Sequence, residues 1–332
     1  MYQHYIALEW SQSNMVVARM SAKSERIEVK AWPAEVKILQ DYLGQLKNRI
    51  ILTFEESYCS QWLYTELKDC VAELIICDPY RNHLLKEGPK TDRIDAKKLV
   101  RLLRAGLLKP VYHSGEAFIY LRRMVRGYSS LVKASTRLKN QRTALFYQNG
   151  KKPNVDQLHG SSDLFVLEGI DRTLDIFDAE KERYGAEFKR LSSKHLVVRR
   201  LKSLPGIGDI GAVKIAALVV DPRRFPTRNH FLSYCGLVSH ERLSGDRSYG
   251  KKKPRYCRAL KEVFKTAAHT TIGGGKRNSM RNYFIRLTEE DRLPEYHASH
   301  KVCRRIATLA LGLLKSQDKY DPNRRSLVNQ HP

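Results

Sequence analysis

The first third of the chain is punctuated by short runs of strand-forming residues. Tyr5–Trp10 (YIALEW), Met15–Met20 (MVVARM) and Arg26–Trp32 (RIEVKAW) are such runs, separated by the turn-like SQSN and SAKSE. Pro33 then opens a segment with helical spacing as far as Lys47, at a position where a helix tolerates proline. Arg49–Phe54 (RIILTF) is apolar throughout and of strand length, as a central strand buried on both faces requires. Tyr58–Asp69 reads as a helix, Leu74–Cys77 as a strand and Thr91–Arg104 as a helix. From Ser114 the spacing turns helical for a long stretch. Leu121, Val125, Leu131, Leu138 and Leu145 mark one long helix, the turn-rich Gly150–Ser162 interrupts it, and Asp163–Arg200 forms a second helical arm. Two such arms predict a projecting hairpin or a dimerising coiled coil. A third region runs from Leu201 to Lys315, and the polar Ser316–Pro332 is expected to be a frayed, flexible tail.

The order β-β-β-α-β-α-β-α predicts a mixed sheet with helices on its faces, which is the order of ribonuclease-H-like domains. The expected class is therefore α/β plus α. It comprises a sheet domain over 1–113, a helical region over 114–200, a mainly helical domain over 201–315 and a tail over 316–332.

Charge narrows the set of partners. The 332 residues hold 60 Lys and Arg against 35 Asp and Glu, a net charge of +25. The basic residues accompany aromatics over several segments instead of forming one amphipathic helix, which points to nucleic acid and away from a membrane surface. No apolar run approaches the roughly 18 residues of a membrane span. The N-terminus lacks the layout of a signal peptide. The six cysteines show no CxxC pair and no disulfide-like spacing, so a reducing cytoplasm is the expected location.

Three constellations could carry chemistry. Glu9 ends the first strand, Glu55 ends the central strand, and Asp92 and Asp95 lie three apart in TDRIDA, on one face of a helix. Four carboxylates gathered at strand ends would repel one another unless they held cations, and hard oxygen ligands suit Mg²⁺, two ions of which could serve phosphoryl transfer. The second constellation is LKSLPGIGDIGAVKIAALV, residues 201–219, which has the pattern of a helix-hairpin-helix. Gly206 and Gly208 permit its tight turn and expose backbone N–H groups to a DNA phosphate. The third is GLVSHERLSGDRSYGKKKPR, residues 236–255, a turn-prone segment in which Ser244 lies among Arg242, Arg247, Lys251, Lys252, Lys253 and Arg255. A serine so placed could attack a phosphodiester, with Tyr249 as the rival nucleophile on the same loop.

Taken together, Glu9, Glu55, TDRIDAKKL with Asp92 and Asp95, and the downstream succession LPGIG, YCGLV and LSG resemble the insertion sequence 110 family of DEDD transposases, relatives of the pilin-gene inverting recombinase. The resemblance extends to the closing HKVCRRIATLALGLLK. It implies a RuvC-like N-terminal domain, a helical coiled-coil insert and a C-terminal transposase domain. It further implies Mg²⁺-dependent recombination through a covalent serine–DNA link at Ser244, guided by a structured bridge RNA that pairs with target and donor DNA. It also implies a homo-oligomer, dimer or tetramer, in which acids and serine meet across protomers, in a cytoplasmic, nucleoid-associated setting. Two positions depart from the family pattern. Glu9 stands where Asp is usual, and Lys253-Pro254-Arg255 replaces the usual lysine-glycine-asparagine turn. A structure-selective nuclease and a domesticated, non-catalytic nucleic-acid-binding regulator are the alternatives.

Overall fold

The computed structural model describes residues 1–46, 49–80, 91–112, 118–153, 156–245, 247–252, 255–274 and 278–322, apart from the side chains of His240, Arg242 and Lys252. Its contacts divide the chain into two compact units, Met1–Ala117 and Phe118–Pro332.

The first unit is a five-stranded mixed sheet. Strands β1 (His4–Trp10), β2 (Asn14–Ser21) and β3 (Ile27–Pro33) form an antiparallel meander, followed by α1 (Val36–Gln45), β4 (Ile50–Glu55), α2 (Ser60–Leu67), β5 (Glu73–Cys77) and α3 (Asp92–Arg104). The sheet order is β3-β2-β1-β4-β5, with β1, β4 and β5 parallel. The expected succession of elements is therefore present. One difference is that Pro33 closes β3 instead of opening α1. Because β3 is an edge strand, a residue without an N–H costs the ladder little there.

Period-two alternation divides the sheet's side chains between two cores. Ile6 and Leu8 of β1, with Leu52 and Phe54 of β4, pack beneath Leu39 and Leu43 of α1 and Leu63 and Leu67 of α2. Ala7, Ala18 and Ile51 face the other way, against Ala96, Leu99, Val100 and Leu103 of α3. Ala7 is the cross-strand partner of Ala18, so two methyl-sized side chains sit side by side where α3 crosses the sheet. Small residues at that point let the helix lie close to the strands.

Among the described residues, the regular structure of the second unit is helical except for one hairpin. Helices α4 (Ile119–Gln148) and α5 (Ser161–Lys194) are each other's partners, running antiparallel. Tyr120 donates to Glu187 (2.7 Å), Lys181 to Ser135 (2.6 Å) and Arg142 to Asp171 (2.7 Å), so position rises on one helix as it falls on the other. The roots of these helices (Leu121, Val125, Phe188, Leu191) belong to the same core as the elements after them. The stretch expected as a helical region of its own over 114–200 thus packs into the C-terminal unit from residue 118 onward, and Ser114 lies outside the described residues. The second arm also breaks sooner than expected. His195 ends α5 and precedes α6 (Leu196–Lys202), followed by α7 (Asp209–Val219), α8 (Arg228–Tyr234), strands β6 (His240–Ser244) and β7 (Arg247–Lys252), α9 (Arg258–Gly273), α10 (Ser279–Glu289) and α11 (Glu295–Ser316).

Helix α7 is buried on most sides because α4, α5, α6 and α9 surround it. The tail is not free throughout. Tyr320 donates its N–H to the Ser203 hydroxyl (2.8 Å), and its own hydroxyl meets that of Ser279. Residues 323–332 lie outside the described residues.

Gly206, before α7, tests this core. Its φ is +77°, and a Cβ there would overlap the Ala267 carbonyl oxygen of α9 and lie 2.8 Å from Thr271 Cγ2. Left-handed backbone costs a residue other than glycine about 1–2 kcal/mol, and overpacking against a fixed backbone about 1–3 kcal/mol. Gly206→Ala is therefore expected to destabilise the unit by about 2–5 kcal/mol. Gly208→Ala, with open space at its Cβ position, is expected to cost less than about 1 kcal/mol. Thermal unfolding of the two variants checks the contrast.

Candidate functional site

Alternation and register determine where the four acids lie. Glu9 is two residues beyond Ala7, and Glu55 is two beyond Thr53, which itself follows Ile51 by two. Both glutamates therefore share the α3 face of the sheet. The parallel pairing Ala7↔Thr53, Leu8↔Phe54 leads next to Glu9 opposite Glu55, on strands spaced about 4.8 Å apart. Helix α3 runs against β1. At its C-terminal end, Arg104 donates to the carbonyls of Ser24 (2.8 Å) and Ala22 (3.3 Å), beyond the end of β2. At its start, Thr91, Asp92 and Arg93 line an open cleft with Asn14, Val16 and Ala31. Val16 is the cross-strand partner of Glu9. The N-terminus of α3 thus lies at the sheet end that carries Glu9 and Glu55.

Thr91 caps this helix, its hydroxyl accepting from the Ile94 N–H at 3.3 Å. Asp92 and Asp95 occupy the first turn, where carboxylates complement the helix dipole. Glu9, Glu55 and Asp95 are half-buried, and Asp92 is exposed.

Two residues that the sequence reading did not single out adjoin this edge. Thr53, fully buried two residues before Glu55 on the same face, has a hydroxyl without a hydrogen-bond partner among the described residues. Asp78 follows β5 directly, is buried, and accepts from the Tyr80 N–H (2.9 Å) while its own N–H donates to Lys109 O (3.0 Å). The signal for Asp78 was an acid immediately after an apolar strand, at the same end as Glu55.

The donor set, four hard carboxylates at one end of a sheet, fits a divalent cation chemically. Among the described residues, no three His, Cys, Asp or Glu side chains yet lie close enough together to share an ion.

In the second unit the helix-hairpin-helix reading falls on α6, the Leu204–Gly208 turn and α7. Gly206 is held against α9, while Gly208 caps α7. The first position of α7 is Asp209, whose carboxylate forms an ion pair with Lys202 (2.6 Å). Lys202 holds that carboxyl below its ordinary range against the opposing effect of burial. A DNA phosphate reaching this N-terminus would meet a carboxylate already in place.

The segment around Ser244 is a β-hairpin, not the irregular loop its composition suggests. Ser244 pairs with Arg247 across the turn, where Gly245 adopts φ +58°, and a bulge lies between Glu241 and Leu243. Ser248 donates to Glu241 (2.8 Å). Ser244, Arg247, Tyr249 and Lys251 are all exposed. The side chains of Arg242 and Lys252, and all of Lys253, lie outside the described residues.

The root of this hairpin is tightly packed. The Cys257 N–H donates to Tyr234 O (2.8 Å), and a Cβ on Gly236, whose φ is +67°, would overlap the Tyr256 ring. Burial raises the thiols of Cys235, Cys257 and Cys303, the last to about 12. A thiol so raised stays protonated and is a poor nucleophile.

Two family profiles match this chain in order. Residues 6–148 match the transposase profile of DEDD type for IS110 elements, and residues 198–284 match the profile described as "Transposase IS116/IS110/IS902 family". The chain belongs to the insertion sequence 110 family of transposases. It is similar to "Putative transposase y4qE" of Sinorhizobium fredii, with 27% identity over 247 residues. That match covers 66% of this chain and 59% of the relative, so the chain spans less than two thirds of the relative's length. The first matched range spans the positions of Glu9, Glu55, Asp92 and Asp95, and the second those of Gly206, Gly208 and Ser244. Among the described residues, no helix of this family member is long and apolar enough to cross a membrane.

Proposed function

We propose that this chain is a DNA transposase that cleaves and rejoins strands through a covalent serine–DNA intermediate, under the guidance of a structured RNA. The observation that carries the reading is the meeting of Glu9, Glu55 and the start of α3 at one end of the sheet, in a chain whose two halves match one transposase family in order. Glu9, Glu55, Asp92 and Asp95 are the residues that would hold Mg²⁺. A divalent ion bound there supplies positive charge that polarises the scissile phosphate. The Ser244 oxygen forms a bond to phosphorus as its proton leaves. The bond from phosphorus to a deoxyribose oxygen breaks, and that oxygen takes up a proton. Phosphorus stays ester-linked throughout, so the reverse attack by a deoxyribose hydroxyl reseals DNA and frees the serine. Arg247 and Lys251, exposed on the same hairpin, would neutralise the phosphate's charge. Acids and serine belong to different units of the chain, and a homo-oligomer would bring them together across protomers.

Target DNA, donor DNA and guide RNA are all polyanions, which the net charge of +25 suits. The test is a denaturing gel of labelled DNA incubated with the protein, its RNA and Mg²⁺. A band of protein joined to DNA is expected, and it should be absent without Mg²⁺. Nicks without an adduct would overturn the recombinase in favour of a structure-selective nuclease, and no strand breakage at all would favour a binding regulator. Purification from cells carrying the gene's native flanks should also recover one discrete RNA. Recovery of random RNA, with full activity in its absence, would overturn the guidance.

A further inference from the structure

A second basic feature of the C-terminal unit lies away from the hairpin tip. Lys301, Arg304, Arg305 and Thr308 follow one another at helical spacing on one face of α11. With Arg228 and Leu232 of α8 and Tyr283 of α10 they line a cavity of about 280 Å³. Four of its seven lining residues are cations and none is an acid. Arg305 stacks on Tyr283 at 4.4 Å from the ring centre, and Arg286 approaches the same ring at 5.2 Å. The Nε of Arg305 is buried and has no hydrogen-bond partner among the described residues. A buried guanidinium nitrogen without an acceptor costs stability, and so does crowding like charges. The cost of crowding like charges falls if an anion enters the cavity.

We propose that this cavity binds the phosphodiester backbone of DNA, a reading that rests on the proposed transposase function. A guanidinium and a phosphate oxygen match in geometry as well as charge. The connection to the hairpin favours DNA over a small free anion. Helix α8 carries Arg228 and Leu232 of the cavity and ends at Tyr234, whose carbonyl holds the root of the Ser244 hairpin. A strand gripped at the cavity would be fixed relative to the element that bears the serine. The contact reads no sequence and sets position along the strand.

The test measures the salt dependence of binding for a labelled DNA duplex by fluorescence anisotropy. Wild type is compared with Lys301→Gln/Arg304→Gln, both exposed positions, and with Arg172→Gln/Arg183→Gln on α5, which removes equal charge elsewhere. Each lost phosphate contact lowers the slope of log affinity against log salt by about 0.9. The cavity variant is expected to lose roughly two units of slope, with the α5 variant close to wild type. Coincident slopes for all three proteins would overturn the proposal. So would a loss confined to an RNA duplex of the same sequence. Stabilisation of wild type but not of the cavity variant by inorganic phosphate, with unchanged DNA slopes, would replace DNA by a small anion and overturn it too. Failure of the wild type to bind DNA at all would overturn the functional reading together with this one, and that baseline tells the two failures apart.

Discussion

Ser244→Ala is expected to bind DNA like the parent protein and to form no covalent adduct with it. Ser244 is exposed at the end of β6, and it pairs with Arg247 through its backbone. Its removal leaves the ladder, the Gly245 turn and the neighbouring cations in place. The loss should therefore fall on the chemical step, by about a thousandfold or more, since a missing nucleophile is not replaced by its surroundings. Denaturing gels of labelled DNA trapped with each protein give the comparison. A surviving adduct in Ser244→Ala would transfer the role to Tyr249, which is two-thirds exposed on β7. Tyr249→Phe would then remove the band.

Glu9→Ala should eliminate strand cleavage, and Glu9→Asp should retain part of it at raised Mg²⁺. Glu9 continues the register that places it opposite Glu55, and it is half-buried on the face that α3 covers. In the proposed Mg²⁺ site, truncation removes one of four negative charges, and affinity for a hard cation depends on their number. A carboxylate shorter by one methylene keeps the charge and alters the reach, and Mg²⁺ tolerates little error at its short oxygen distances. A fall of about a hundredfold or more is expected for Glu9→Ala in single-turnover cleavage, with the Glu9→Asp deficit narrowing as Mg²⁺ rises. Full activity of Glu9→Ala would remove Glu9 from the site. Loss of DNA binding in Glu9→Ala would point to a structural role instead.

The sheet unit was legible because its strands are bounded by turn residues and its apolar runs differ in length from its helices. Gathering Glu9 and Glu55 needed one further step, since alternation yields a face but only the parallel β1–β4 pairing brings the two strand ends together. Asp78 escaped because an Asp-Pro pair after a strand reads as a turn, and it does form one. The break at His195 carries no Gly or Pro; tertiary packing of α6 against α7 supplies what local sequence does not mark. The segment around Ser244 has the composition of a loop for a physical reason. Both its faces meet water, so neither strand shows the apolar alternation by which strands are recognised. Gly206 and Gly208 were given one role together, yet the first glycine is required by close approach to α9 and the second is not.

The firm root of that hairpin limits where its serine can go. Were the segment a free loop, the Ser244 hydroxyl would roam a volume set by chain length on both sides. Instead it lies at the end of a paired strand of five residues, roughly 15 Å at about 3.4 Å per residue, with Cys257 bonded to Tyr234 and Gly236 packed on Tyr256 on either side of the hairpin. Pairing removes backbone freedom that a loop would keep, so the hydroxyl samples a smaller volume and its local concentration there rises. The ribbon's direction depends on packing at its base, so crowding at Gly236 should redirect a hydroxyl that it never touches.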